Sequence, residues 1–153
     1  MMLHGNVIYC DDVRVENTGK LILVGVYNTD MVVNARPPAS LAQIQLVVRI
    51  RTSIEYAGDS LKTKIYLPTD HDSPSIIQSS TIPNAPPPEI LGSMIRAYPD
   101  APITMNMSFN VKIANVIVEE DSFIKVEVEC KGETARLNQL RINVVQPQPS
   151  KPA

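Results

Sequence analysis

Three aspartates in the first part of the chain are of the residue type that binds hard cations. Asp11 and Asp12 are adjacent, and Asp30 follows where a strand pair is expected to end. Clustered carboxylates on the loops of β-rich domains hold Ca²⁺, so these three residues are a candidate cation or glycan site. Adjacent residues of a strand face opposite sides, so only one of the first two can join such a cluster. In the alternative interpretation one carboxylate is solvated and the other pairs with Arg14 or with turn amides.

A second candidate is the triplet Asp70-His71-Asp72. A carboxylate beside a histidine is typical of an oriented general base or a metal ligand. A metal needs further ligands, and the other histidine of the chain, His4, lies near the first residue. We therefore predict an exposed polar loop here, no catalytic, cofactor-binding or metal-binding residue, and no enzyme activity.

Four basic residues are expected to point outward from two strands: Arg49, Arg51, Lys62 and Lys64. On adjacent strands they would form a small basic patch for a phosphate or an acidic partner. The alternative is a mixed-charge surface that the glutamates of a later strand neutralise. The formal net charge of −2 lacks the basic excess of a nucleic-acid-binding protein, so no nucleic-acid partner is expected.

The elements that position these residues are predicted to be strands. Apolar and polar residues alternate over residues 41–51, 61–67, 103–113, 124–130 and 137–145. This alternation indicates strands with one buried face, and turn residues separate them. The pattern predicts an all-β fold, an antiparallel β-sandwich of about 7–9 strands with Ig-like or C2-like architecture. One long Pro-rich irregular connection interrupts it.

Residues 20–27 contain the longest apolar run, which follows Lys20 and is interrupted only by Gly25. A strand that is apolar on both faces must be covered on both faces, so we expect this run to be the central strand of a sheet. Gly25 suggests a bulge or a close approach of another backbone. The turn residues 17–19 predict a hairpin that pairs residues 13–16 with residues 21–24.

The alternation stops over residues 69–102, which contain seven prolines. The segment carries four large apolar side chains close together: Ile90, Leu91, Met94 and Ile95. Their spacing is helical and Pro88 suits a first turn, whereas Gly92 disfavours a helix, so both a short helix and an irregular segment remain open. Such a connection is more often functional than idle.

These four apolar side chains must cover something, because leaving them in water is costly. They cover either the open end of their own sandwich or a second copy of the chain. A closed two-fold dimer needs only one self-complementary surface, so we expect a homodimer with this interaction surface. No nucleophile–base, metal or nucleotide motif is present. The predicted function is therefore a non-enzymatic β-sandwich interaction module that self-associates or binds a protein partner.

A chain of 153 residues fits one domain, predicted at residues 1–146, followed by a Pro-rich flexible tail at residues 147–153. The first residues lack the basic and apolar regions of a signal peptide. No run approaches the roughly 18 apolar residues of a membrane span. We expect a cytoplasmic protein without membrane association, in which Cys10 and Cys130 are buried free thiols rather than a disulfide.

Several stretches in the first third of the chain carry a resemblance: Tyr9-Cys10-Asp11-Asp12-Val13-Arg14, Gly19-Lys20-Leu21-Ile22-Leu23-Val24-Gly25-Val26-Tyr27, Pro37-Pro38 and Leu46-Val47-Val48-Arg49. The sequence resembles an uncharacterised family of small bacterial proteins of unknown function. The resemblance implies a bacterial origin. It implies no activity and no site residues.

Overall fold

The protein is described by a computed structural model over residues 2–149. The described part folds as a β-sandwich with one α-helix and a 3-10 turn at Ile54–Tyr56. The predicted all-β class and sandwich architecture are confirmed. The elements are β1 (Leu3–Val15), β2 (Leu21–Tyr27), β3 (Asp30–Asn34), β4 (Ala39–Ser53), β5 (Ser60–Tyr66), β6 (Ile76–Thr81), α1 (Pro88–Ala97), β7 (Thr104–Val118), β8 (Ser122–Cys130), β9 (Glu133–Arg136) and β10 (Leu140–Val145).

The strands are divided between two sheets. The first has four strands in the order β2-β1-β4-β7, and the second has six, in the order β3-β10-β8-β5-β6 with β9 also paired to β8. The strand pairs of the described residues are antiparallel except β3 with β10, which is parallel. The chain crosses from the second sheet to the first between β3 and β4, in a link that contains Pro37 and Pro38.

The core lies between the sheets, where inward side chains of β1 and β4 pack against those of β8 and β10. Leu46 and Val48 of β4 and Ile124 and Leu140 from the second sheet have no exposed surface. Each buried side chain of this size contributes about 1.5–3 kcal/mol. The alternation predicted these inward faces correctly, because β5, β8 and β10 also bury the residues that the pattern placed inside.

The prediction for residues 20–27 is wrong in one respect. The hairpin is confirmed, with Val13 opposite Leu23 and Val15 opposite Leu21. The run, however, forms β2, an edge strand that pairs with β1 on one side and with no other strand of the described residues. Apolar composition indicates that a strand must be covered, but not that a neighbouring strand of the same chain covers it. Here much of the run faces solvent.

A side chain closes the edge of β1 where β2 no longer covers it. The amide of Asn138, in the link between β9 and β10, accepts from the backbone N–H of Val7 at 2.7 Å and donates to its carbonyl at 2.8 Å. One side chain thus replaces a strand partner and joins the two sheets. The buried hydroxyl of Tyr9 strengthens the same junction, since it lies 2.8 Å from the carbonyl oxygen of Asn138.

The described end of the chain has no regular structure. Residues 147–149 of the predicted tail are exposed and belong to no helix or strand. The rest of that predicted tail, residues 150–153, lies outside the described residues.

Candidate functional site

The Pro-rich connection between β6 and β7 contains the helix α1. Its sequence explains its bounds, because Pro88 occupies the first turn, where a missing N–H costs nothing. Glu89 lies in the first turn and Arg96 in the last, and both charges complement the helix dipole. Gly92 lowers helix propensity but does not prevent the helix. Of the two possibilities left open by the sequence, the short helix is the one that forms.

The apolar face of α1 is not covered by the rest of the chain. No residue of the helix is buried. Ile90 is 53% exposed, Met94 41% and Ile95 49%, and Tyr98, one residue beyond the helix, is 69% exposed. Leu91 is half-buried. Three of the four predicted surface residues are therefore exposed, and the fourth, Leu91, is partly covered.

A small cavity lies beside the C-terminal end of α1. Its volume is about 170 Å³, and it separates the helix from the chain that leads into β7. Met94 and Tyr98 line this cavity on the helix side, and Ile103 and Thr104 line it on the strand side. The side chain of Met94 thus lies beside the segment that leads into β7, while Ile90 and Ile95 are about half exposed.

A second exposed apolar surface is the outward face of β2. Ile22 is 43% exposed, Val24 41% and Val26 48%. They alternate with residues that face the other sheet, so all three project from the same side. One backbone edge of β2 is also unpaired among the described strands. Sequence analysis missed this surface although its signal was present: a run with no polar alternation on a strand that has one neighbour.

The exposed strand and the strand that follows the exposed helix are opposite edges of the four-stranded sheet. β7, which follows α1, is one edge of this sheet, and β2 is the other, three strand positions away. With neighbouring strands about 4.8 Å apart, the edges are separated by about 14 Å. Within one chain the helix face and the β2 face therefore do not cover each other.

The first aspartate of the candidate cation site has a structural partner. Tyr27 donates a hydrogen bond to Asp11 across the β1–β2 pair. Burial and this hydrogen bond raise the pKa of Tyr27 to about 12. Gly25, with φ +64°, lies opposite, and a Cβ there would overlap the carboxylate of Asp11. The glycine is therefore required by a close approach, but the approaching group is a side chain and not the backbone that the sequence suggested.

The other two aspartates are placed apart. Asp12 accepts from Arg14 at 3.1 Å and from Gln45 at 3.0 Å, and the bond with Arg14 is the main reason that its pKa is lowered. Asp30 begins β3 in the other sheet. Among residues 2–149 no group of three acidic, cysteine or histidine side chains is arranged to hold a metal ion. The structure does not bring these aspartates together as a cation site.

In the loop after β5, Asp70 is a structural residue. Its carboxylate accepts hydrogen bonds from the backbone N–H groups of Leu67 and Ser75, both at 2.8 Å, and from the Ser75 hydroxyl at 2.6 Å. Burial raises its pKa, but these hydrogen bonds outweigh burial and lower it overall. Its neighbours His71 and Asp72 are exposed, in agreement with the polar loop predicted for this triplet.

The four basic residues do not form one patch. Arg49 and Arg51 lie on β4 in the first sheet, whereas Lys62 and Lys64 lie on β5 in the second. Lys64 donates to Glu129 of the neighbouring β8 at 2.7 Å, so the lysine part of the predicted set is partly neutralised as the alternative interpretation expected. The arginine part remains on a separate surface.

The two cysteines are free and buried, as predicted. Burial raises the pKa of both thiols, and the carboxylates of Asp11 and Asp12 raise that of Cys10 further. No helix of the described residues is long and apolar enough to cross a membrane.

Comparison with known proteins gives one match. The model of a family described as a family of unknown function, DUF6941, matches residues 6–144. No curated protein and no solved structure matches the chain. The match covers both sheets and the connection that contains α1, so the surfaces described above belong to the part of the chain that the family shares.

Proposed function

Since this chain belongs to DUF6941, a family of unknown function, we propose its function from its surfaces: a non-enzymatic β-sandwich module that self-associates as a homodimer. The observation that carries the proposal is α1, a helix with an apolar face and no buried residue. An amphipathic helix gains most of its stability from packing, and a helix of ten residues is marginal alone. A partner surface for α1 is therefore expected.

We propose that α1 of each copy packs against the outward face of β2 in the other copy. Helices commonly pack on the face of a sheet, and both of these surfaces are apolar. Both stay exposed within one chain, in which β2 and the strand that follows α1 are opposite edges of one sheet. Two copies related by a two-fold axis join them twice, which buries both surfaces and leaves neither free. Association of this kind closes at two copies and does not propagate into a filament.

The same proposal assigns a role to the exposed residues of β2. Long apolar edge strands are aggregation sites unless they are blunted by charge, by proline or by a cover. Ile22, Val24 and Val26 carry no charge and are not interrupted by proline. A helix from a partner that lies over them supplies the cover.

We also propose that the protein works in the bacterial cytoplasm. Two buried free thiols support a reducing compartment, because disulfides are common in oxidising ones. The protein-partner alternative uses the same α1 face, occupied by a different chain.

Light scattering on separated material tests the proposal. The wild type is expected at twice the 16.9 kDa mass of the chain. Ile90→Asp combined with Ile95→Asp places two charges on the apolar face, and we expect a monomer with an unchanged β circular dichroism spectrum. Both side chains are exposed in the single chain, so the fold is expected to survive.

The matched control is Ser93→Asp, which adds a charge on the opposite side of α1. It is expected to remain dimeric. A wild type that is monomeric at high concentration would contradict self-association, and a double variant that stays dimeric would show that α1 is not at the interface.

A further inference from the structure

A groove of about 450 Å³ lies on the outward face of the four-stranded sheet, where β1, β4 and β7 run side by side. The strand register arranges its polar side chains in two rows of three. The first row is His4, Arg51 and Asn106, and the second row is Asn6, Arg49 and Ser108.

The backbone of this region explains why these side chains face outward together. Arg49 and Arg51 alternate with Ile50, which is buried in the core. Gly5 lies opposite Ile50, and a Cβ there would overlap the carbonyl oxygen of Arg49. Glycine therefore allows β1 to lie close to β4 beneath the groove.

The groove is cationic and has no internal counter-charge. No acidic residue lines it. In contrast, Arg14, Lys64, Lys131 and Arg136 are each paired with a carboxylate. Arg51 donates from Nε to the Thr104 hydroxyl at 3.0 Å, which fixes its guanidinium without neutralising it. Neither arginine of the groove has an ion-pair partner among residues 2–149.

The geometry points to a binding site for the phosphate group of a small organic phosphate. Two guanidinium groups on one strand face supply many N–H donors in planar forks, which match phosphate oxygens. The amides of Asn6 and Asn106 and the hydroxyl of Ser108 add neutral donors around them. A phosphate group has three strong acceptor oxygens and up to two charges, so it uses this excess of donors better than a carboxylate. The groove volume is in the range of small-molecule sites.

The groove is remote from the β2 half of the proposed dimer surface, whereas its Arg51 contacts Thr104, which borders the cavity at the C-terminal end of α1. β2 pairs with β1 only over Tyr9–Val15, whereas the groove uses His4–Asn6 at the other end of β1. Failure of one proposal therefore leaves the other intact, since one is measured by assembly and the other by ligand-induced shifts.

Amide chemical shifts in a titration of the ¹⁵N-labelled full chain test the inference. The probes are inorganic phosphate, ribose 5-phosphate and, as a carboxylate, acetate, each to about 10 mM, which fills a millimolar site to about nine-tenths. We expect saturable shifts at residues 4–6, 49–51 and 106–108 with both phosphates. Equal affinity for inorganic phosphate and ribose 5-phosphate would mean that the site recognises the phosphate group alone. Tighter binding of ribose 5-phosphate would mean that the sugar also contributes.

The variant Arg49→Gln with Arg51→Gln is expected to raise the dissociation constant at least about tenfold, because it removes both charge-assisted donors. The control, Lys62→Gln with Lys125→Gln, removes two charges from the other sheet and should leave binding unchanged. Three outcomes would overturn the assignment. The wild type would show no saturable shifts, the two double variants would bind phosphate equally well, or acetate would bind as strongly as phosphate.

Discussion

β4 and β2 are strands of the same sheet that both carry valines, yet these side chains meet opposite environments. In β4, Val47 and Val48 have no exposed surface, because β1 and β7 flank the strand. In β2, Val24 is 41% and Val26 48% exposed, because the strand has one neighbour. The amino-acid composition of a strand determines whether its side chains need to be buried. The order of the strands in the sheet determines whether the same chain can bury them. The difference between the strands is the reason that we propose an interface for β2, whereas β4 contributes to the core.

The largest expected effect separates core from surface. Val48→Asp places an unpaired carboxylate in the interior of the sandwich, which costs several kcal/mol of a total of about 5–15 kcal/mol. We expect an unfolded or aggregated protein, measured by loss of the β circular dichroism signal and of a cooperative melt. A native melting curve for this variant would contradict the assignment of β4 to the core, on which the comparison of β4 with β2 depends.

The next effect acts on assembly rather than on folding. Val24→Lys puts a charge on the outward face of β2, opposite Asp12, so the strand pair is kept. We expect a folded protein whose dimer dissociation constant rises at least about tenfold, because a lysine head group cannot be desolvated under α1. Sedimentation over a dilution series measures it.

The control for this prediction is Val32→Lys. Val32 is 65% exposed on β3, an edge strand of the other sheet. The same substitution there is expected to leave assembly unchanged. Equal weakening by both variants would mean a general charge effect, and the special role of β2 would be lost.

A smaller effect compares the closed edge of β1 with the open edge of β2. Asn138→Ala removes both hydrogen bonds to the backbone of Val7, and we expect a loss of about 1–3 kcal/mol in urea unfolding. Asn138→Asp keeps the acceptor for the Val7 N–H but sets a carboxylate oxygen against the Val7 carbonyl oxygen, so we expect a loss at least as large as for Asn138→Ala. No change in either variant would show that this edge needs no closure.

The smallest expected difference concerns the thiols. Both are buried and have a raised pKa, so native Cys10 and Cys130 should react with a thiol reagent far more slowly than in urea. Cys10 lies opposite Val26 of the edge strand, where local opening of β2 suffices for access. We expect it to be modified before Cys130, as followed by mass spectrometry of digests. The reverse order would place the less stable region away from β2.

Much of the fold could be predicted from period-two alternation. The inward faces of β4, β5, β8 and β10 followed from it, because each has one apolar side and a covered core. The hairpin of β1 and β2 followed from the turn residues, and the helical spacing around Ile90 and Met94 indicated α1. These signals are local in sequence, which is why a single chain reveals them.

The sequence could not give the features that depend on strand order. Nothing local distinguishes the run at β2 from a central strand, and nothing places Arg49 and Lys64 in different sheets. The groove requires the register of three strands that are far apart in sequence. The contact of Asn138 with Val7 joins residues 131 positions apart. An asparagine in a link has no sequence pattern from which such a partner could be predicted.

The parallel pair of β3 and β10 has a consequence for biosynthesis. β3 is complete by Asn34, but the strand beside it ends only at Val145. A chain made from its N-terminus therefore carries Met31 and Val33, both buried in the finished protein, without their neighbour for most of translation. The six-stranded sheet cannot close until β10 has left the ribosome. Until then, we expect the nascent chain to expose this apolar segment, which is the kind of surface that chaperones bind.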